Sequence, residues 1–338
     1  MNKQKSIKNF TIVDLFCGVG GLSLGFQQEG FELLFANDID PDAAKTFKYN
    51  HPGVKFYEGD IKNLNSKKIK QFLEGRTVNV LVGGVPCQSF SMKGKRILDS
   101  STSDPRDYLF KEFMRVTKII MPDIAIIENV KGIISSRNGA IKDEILSDLK
   151  KLGYTTEFRV LNAADYGVAQ LRERTIFMAN RINKRNIFPE RTHASENYVA
   201  IKDVFKDVPK DNHDIKKLRG KVLERVKLVK QGENWESLPK KLQTGSRQSG
   251  AYGRLDPNKP SRTLTTRFDT PPGGYVTHPY EDRAITVREG ARIQSFPDDF
   301  IFIGNRMSQY KQVGNAVPVK LSNALAKSVI KMLGDTNE

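Results

Sequence analysis

The chain has 338 residues, with 55 Lys and Arg against 39 Asp and Glu, four His, two Cys and a formal net charge of +16. With 38% hydrophobic and 28% charged residues it has the composition of a folded protein of one large or two modest domains. No apolar run approaches the roughly 18 residues that span a bilayer, and residues 1–9 are polar and basic, so neither a membrane span nor a secretory signal is expected and the expected compartment is the cytoplasm. Cys17, Cys87 and the scattered His lack zinc-ligand spacing, so no metal is expected. The positive surplus favours a polyanionic partner, nucleic acid or anionic lipid. It is concentrated in residues 181–262, which carry 20 Lys and Arg and 10 Asp and Glu, +10 of the +16.

Along the first half, short β-rich runs alternate with helical patterns, the signature of repeated βαβ units. Strands are expected at residues 10–16, 31–36, 54–57, 78–82 and 124–127, with further β patterns at 155–161 and 174–179. Helices are expected at 22–29, closed by Gly30, from Asp40-Pro41 to about residue 50, at 107–121 with Pro122 as a stop, and at 141–152. The layout is α/β and doubly wound, Rossmann-like over residues 1–180. From about residue 181 the βα beat is lost and a smaller, irregular domain is expected to about residue 275. Residues 276–338 return to order, with Leu321, Ala324, Leu325, Ser328, Val329 and Met332 on one face of a terminal helix that returns to the first domain.

The chemistry-bearing residues fall at strand ends. Gly18, Gly20 and Gly21 lie between a strand and a helix, where glycines let the backbone approach a nucleotide-type cofactor and the helix start offers free N–H groups. Asp38, after the second strand, is placed to bond ribose hydroxyls, and Asp60 stands at the same edge. Ser23 occupies the third glycine position of the dinucleotide fingerprint, which disfavours a pyrophosphate ligand. Cys87 follows the fourth strand in Pro86-Cys87-Gln88, an ordered polar loop that suits a nucleophile, whereas Cys17 reads as a packed small side chain. Glu128, in Glu128-Asn129-Val130, either caps a helix or, if it lies in the crevice, is desolvated enough to donate a proton. The alternate Arg172 and Arg174 of Gln170-Leu-Arg-Glu-Arg174 could orient Glu128, hold a phosphate or form surface ion pairs.

The order Phe16-x-Gly18-x-Gly20-Gly21, Pro86-Cys87-Gln88, Glu128-Asn129-Val130, Gln170-x-Arg172-x-Arg174 and Gly314-Asn315-Ala316-Val317-Pro318 resembles the cytosine-5 DNA methyltransferase family, of the bacterial or phage modification type, over nearly the whole chain. The resemblance implies S-adenosylmethionine bound by Phe16, Gly18, Gly20, Gly21, Leu22, Asp38, Ile39, Asp60, Ile61, Pro86, Leu109, Asn315 and Val317, with S-adenosylhomocysteine as product. It makes residues 181–275 a target recognition domain, in agreement with the charge surplus. It implies that Cys87 attacks carbon 6 of a cytosine flipped out of duplex DNA, while protonated Glu128 bonds ring nitrogen 3 and Arg172 and Arg174 hold the base. The loop after Cys87, with Ser91, Lys93, Lys95 and Arg96, is expected to close over the flipped base, and Gln88 is a further candidate DNA contact. Arg247 and Arg254 are candidate DNA contacts beside the Gly- and Ser-rich stretch.

Two rival readings are an RNA cytosine-5 methyltransferase and a catalytically silent DNA-binding regulator. The first is disfavoured by the absence of a Cys-Phe-Thr motif and of a second cysteine at Glu128-Asn129, the second by the presence of Cys87, Glu128 and Asn315. By family analogy the protein is expected to be a monomer that protects DNA, either beside a separately encoded endonuclease or as an orphan enzyme.

Overall fold

The computed structural model describes residues 10–86, 109–244 and 250–334. Its centre is a seven-stranded sheet made of β1 (Thr11–Leu15), β2 (Glu32–Asp38), β3 (Lys55–Glu58), β4 (Val80–Gly84), β5 (Ile124–Val130), β6 (Thr155–Asn162) and β8 (Glu173–Asn180), in the order β3-β2-β1-β4-β5-β8-β6. A two-residue strand β7 (Gln170–Leu171) precedes β8. The chain reverses direction from β1 toward β3 on one side and toward β6 on the other, so the β1/β4 boundary is the crevice expected of a doubly wound sheet. The pairs from β3 to β5 are parallel, but β8 runs antiparallel to both β5 and β6. The βαβ repetition expected along the first half therefore ends at β6. Residues 163–172 are too few to hold the crossover helix that a parallel return needs, so the chain turns straight back.

Alternation along the central strands feeds two cores. Ile12, Val80, Val82, Ile124 and Ile126 face one layer, formed with Phe26 of α1 (Gly21–Gln28), Phe47 of α2 (Pro41–Asn50) and the terminal helix. Val13, Leu15, Leu81, Ala125 and Ile127 face the other, covered by α3 (Ser66–Leu73), α4 (Leu109–Ile120) and α5 (Ala140–Lys151) through Ile69, Phe113 and Ile145. The sequence reading did not anticipate α3, although Asn65 caps it by accepting from Lys68 N and Ile69, Phe72 and Leu73 share its inner face.

Beyond β8, α6 (Ile201–Val204) leads to α7 (Gly220–Leu228) and the short strands β9 (Gly253–Arg254), β10 (Ser261–Arg262) and β11 (Tyr275–Thr277). Val226, Val229, Leu238, Leu242, Ala251 and Tyr252 make a small separate core. Leu264 and Phe268 pack instead with Ile285, with Val287, Ala291 and Ile293 of α8 (Val287–Ile293) and with Val313 of α9 (Arg306–Asn315). Strand β10 pairs with β7, which ties this region to the approach of β8. The last helix, α10 (Val319–Gly334), lies on α1: Ser322 Oγ donates to Leu22 O and Asn323 Nδ2 to Gly25 O, and a Cβ on Gly25 would collide with Ser322. No helix among the described residues is long and apolar enough to cross a membrane.

Candidate active site

The site is assembled at the carboxyl ends of β1, β2, β4 and β5. Past Leu15 the chain turns sharply: Phe16 takes φ 55°, Cys17 N donates to Asn37 O, and Gly20 N returns to Cys17 O. Gly18, at φ +55°, donates its N–H to Asp38 Oδ2 at 2.7 Å, while Asp38 Oδ1 accepts from Asp40 N. Burial pushes the Asp38 carboxyl above its ordinary value, and the two N–H donors oppose the rise.

The three glycines of the loop do different work. A Cβ on Gly20 would strike the rings of Phe47 and His51, and one on Gly21 would collide with the Val317 carbonyl, so these two let the protein's own layers close beneath the loop. Gly18 has nothing within 4 Å of a Cβ and faces open space. Beside that space stand the Asp38 carboxylate and Ile39, whose apolar side chain is 65% exposed. An open shelf, a carboxylate at the ribose position and an uncovered apolar flank fit an adenosine-type group. Asp60 accepts from Lys62 N at the start of a short helical turn, and Leu109 opens α4 half-buried. The side chains of Leu22, Ile61 and Val317 are buried in the core, and Asn315 at the end of α9 is exposed.

The second half of the site lies on β4 and β5. Gly84 pairs in register with Glu128, and a Cβ placed on Gly84 would lie 3.7 Å from both Glu128 Oε2 and the Phe16 carbonyl. The Glu128 carboxylate is therefore next to the glycine loop. Glu128 sits near the end of β5, not at a helix start, and is 8% exposed. Its partner is Arg174 near the start of β8, whose Nε lies 2.8 Å from Glu128 Oε1. Antiparallel register brings the two together, since Val130 pairs with Arg174 across the β5–β8 ladder. Burial lowers the Arg174 guanidinium and Glu128 works against that fall. Desolvation is thus only part of the environment of Glu128, because a buried cation makes a charge-assisted bond to it.

Asn129, quoted in the sequence only as a neighbour of Glu128, donates Nδ2 to Val85 O at 3.1 Å and accepts from Val130 N. It anchors the main chain as it leaves β4 for Pro86. Cys87, Gln88, Ser91, Lys93, Lys95 and Arg96 follow directly and lie outside the described residues, as does Arg247.

Two expected contacts are corrected. Arg172 does not reach Glu128 or an open cleft: it is 1% exposed, and its guanidinium donates to the carbonyls of Leu264, Gly314 and Ala316. It is a strut between β7, the segment after β10 and the α9–α10 junction that carries Asn315 and Val317. It has company in Gln170, whose Nε2 donates to Gln294 Oε1 and whose Oε1 accepts from Leu264 N, while Gln294 Nε2 donates to Val313 O. Arg254 is no DNA contact either. It is 6% exposed, and its guanidinium donates to the carbonyls of Val226, Val229, His278 and Glu281 and to Asp282 Oδ1. Arginine at that position saturates carbonyls around the small core, a role that residue type and a glycine-rich flank do not distinguish from groove contact.

Comparison with known proteins agrees with this geometry. The family model described as C-5 cytosine-specific DNA methylase matches residues 10–331. The Type II methyltransferase M1.HphI of Haemophilus parahaemolyticus is 38% identical over 339 residues, covering 98% of this chain and 88% of that protein. The Type II methyltransferase M.Eco47II of Escherichia coli is 36% identical, covering 97% and 81%. Among solved structures, a DNA modification methyltransferase encoded within an E. coli prophage superposes with a TM-score of 0.77 at 25% identity, covering 96% of this chain and all of that one. The S. pombe Dnmt2 methyltransferase shares the fold, with a TM-score of 0.69 at 20% identity over 96% of this chain and 99% of that one. The chain belongs to the C-5 cytosine-specific DNA methylase family and is a DNA cytosine-5 methyltransferase.

Proposed function

We propose that the protein methylates carbon 5 of cytosine within one short duplex sequence, with S-adenosylmethionine held between the Gly18 shelf, Asp38, Ile39 and Asp60 and closed by Leu109, Asn315 and Val317. The observation that carries this reading is the convergence on Gly84, where the Glu128 carboxylate and the Phe16 carbonyl approach one point from opposite sides. A base bonded to Glu128 would present its edge to whatever the glycine loop holds.

Bound S-adenosylmethionine supplies an electrophilic methyl on a sulfonium. The Cys87 thiolate adds to carbon 6, and the electron pair of the carbon 5–carbon 6 bond is pushed into the ring. Protonated Glu128 gives a hydrogen bond to nitrogen 3 and stabilises the displaced charge, with Arg174 fixing the carboxyl group. Carbon 5 takes the methyl as S-adenosylhomocysteine departs, a base removes the carbon 5 proton, and the carbon–hydrogen bonding pair restores the carbon 5–carbon 6 double bond as the sulfur–carbon 6 bond breaks. The base must leave the duplex to reach this pocket, at a cost of about a few kcal/mol.

Residues 181–275 read as the target recognition domain, on the strength of their charge surplus and the separate small core within them. Arg247, Gln88, Ser91, Lys93 and Arg96 remain DNA-facing candidates. The relatives named Type II methyltransferases favour a cytoplasmic restriction-modification role, with a separately encoded endonuclease as the partner to look for.

The test is base-resolution mapping of 5-methylcytosine after incubation with S-adenosylmethionine and mixed-sequence duplex DNA, beside Cys87→Ala. Methylation at one motif, lost in the variant, is expected; methylation that survives Cys87→Ala would overturn the covalent mechanism.

A further inference from the structure

Beneath the glycine loop lies a group that the reaction does not use. His51 ends α2, is 3% exposed, and stacks on Phe47 with ring centroids 4.3 Å apart. Its Nδ1 lies 2.6 Å from Gln27 Oε1 on α1; with an oxygen acceptor there, Nδ1 carries the proton. That turns Nε2 toward the glycine loop, where the Val19 main chain approaches the ring. Nε2 has no hydrogen-bond partner, and a Cβ built on Gly20 would lie 2.5 Å from it. The ring edge is therefore the floor under Gly20, opposite the open side at Gly18.

An unpaired buried nitrogen is a net cost to folding. A phenyl ring could keep the stack on Phe47 without that cost, so stability alone does not account for the imidazole. Size does. A five-membered ring lets the loop settle low, whereas a six-membered ring would lift Gly20 toward the space above Gly18. Burial also pushes the His51 ring down to about 4, with the Val19 main chain working against the fall, so the ring stays neutral across the working pH range.

We propose that His51 is a positioning residue that sets the height of the Gly18–Gly21 loop and through it the affinity for S-adenosylmethionine. The inference rests on reading that loop as the cofactor site.

The experiment measures S-adenosylmethionine binding by calorimetry, without DNA, for wild type, His51→Phe and Gln27→Leu, together with melting temperature, duplex DNA affinity and kcat at saturating cofactor. His51→Phe is expected to weaken cofactor binding about tenfold, with DNA affinity and kcat within about twofold and a melting temperature equal to or above wild type. Gln27→Leu frees the ring while leaving it in place, and is expected to weaken cofactor binding in the same direction, less strongly. It also keeps the test open should His51→Phe fail to fold. Unchanged cofactor affinity in a folded variant would overturn the proposal, as would a fall in affinity only in step with a lower melting temperature. Failure of the wild type to bind S-adenosylmethionine would instead remove the reading of the site on which the proposal rests, and the proposal with it.

Discussion

Arg174 Nε lies 2.8 Å from Glu128 Oε1, with both side chains about nine-tenths buried. A pair this dry is poorly screened, and removing one member strands the other charge in a medium that cannot solvate it. Arg174→Leu is therefore expected to lower kcat by about 100-fold or more, the scale on which loss of a positioned acid or its orienting partner is felt. Glu128→Gln keeps shape and removes the charge. If the two act as one unit, the double variant should be little worse than either single variant, and a steady-state double-mutant cycle reads this directly. Additive losses would mean that Arg174 serves something other than Glu128.

Arg172 sits two residues away and answers to different physics. Its guanidinium holds three carbonyls from two distant segments and faces no cleft. Arg172→Met is expected to leave those carbonyls unpaired and to cost about 3 kcal/mol of stability, read as a lower urea midpoint with an unchanged m-value. Because Gly314 and Ala316 flank Asn315, the Michaelis constant for S-adenosylmethionine should rise as well. A variant with wild-type stability and a slow chemical step would restore Arg172 to the base.

The strands and most helices along the chain, and the placing of chemistry at strand ends, are legible because periods of 2 and 3.6 are written locally, and because Asp38, Pro86 and Glu128 follow apolar runs directly. What is not legible depends on register and on contacts between distant residues. The antiparallel β8 decides that Arg174 meets Glu128 while Arg172 turns away, and nothing in the spacing of two arginines carries that direction. Arg254 misleads for the same reason: a buried guanidinium bonded to carbonyls and an exposed one reaching for a guanine look alike in sequence. His51 and Gln27 lie 24 positions apart with no motif to join them. In each case the missing information is which main-chain carbonyls, or which ring edge, lie across the gap.

Arg254 and Arg247 can be separated by what each substitution damages. Arg254→Met removes donors from five acceptors around the small core and is expected to lower the melting temperature clearly, by about 3 °C or more if the loss exceeds 2 kcal/mol. DNA affinity measured on folded protein should change little. Arg247→Ala is expected to leave the melting temperature alone while weakening specific DNA binding by about 1–3 kcal/mol. Fluorescence anisotropy across a salt series, run beside thermal melts, distinguishes them. An Arg254 variant that melts like wild type yet loses DNA affinity would reverse the correction made to it.

The acid beneath the cofactor loop provides a pH signature. Asp14, near the end of β1, is fully buried, accepts from Ser23 Oγ at 2.5 Å through Oδ2, and has no partner for Oδ1. Burial pushes its carboxyl up from 3.8 to about 7, with the Ser23 bonds pulling the other way. The folded state therefore holds this proton more tightly than the unfolded chain does. The sign follows from linkage: stability is unaffected by Asp14 below about pH 4, declines as pH rises toward 7, and carries the full penalty above it. In Asp14→Asn the ionisation is gone and the Ser23 hydroxyl can still be accepted. The difference in unfolding free energy, variant minus wild type, is expected to grow between pH 5 and pH 8 by a few kcal/mol, since each tenfold gain in proton affinity on folding is worth about 1.4 kcal/mol. Urea melts at those two pH values suffice. A difference independent of pH would mean that Asp14 is already ionised at pH 5 and that its orphaned oxygen has found a donor.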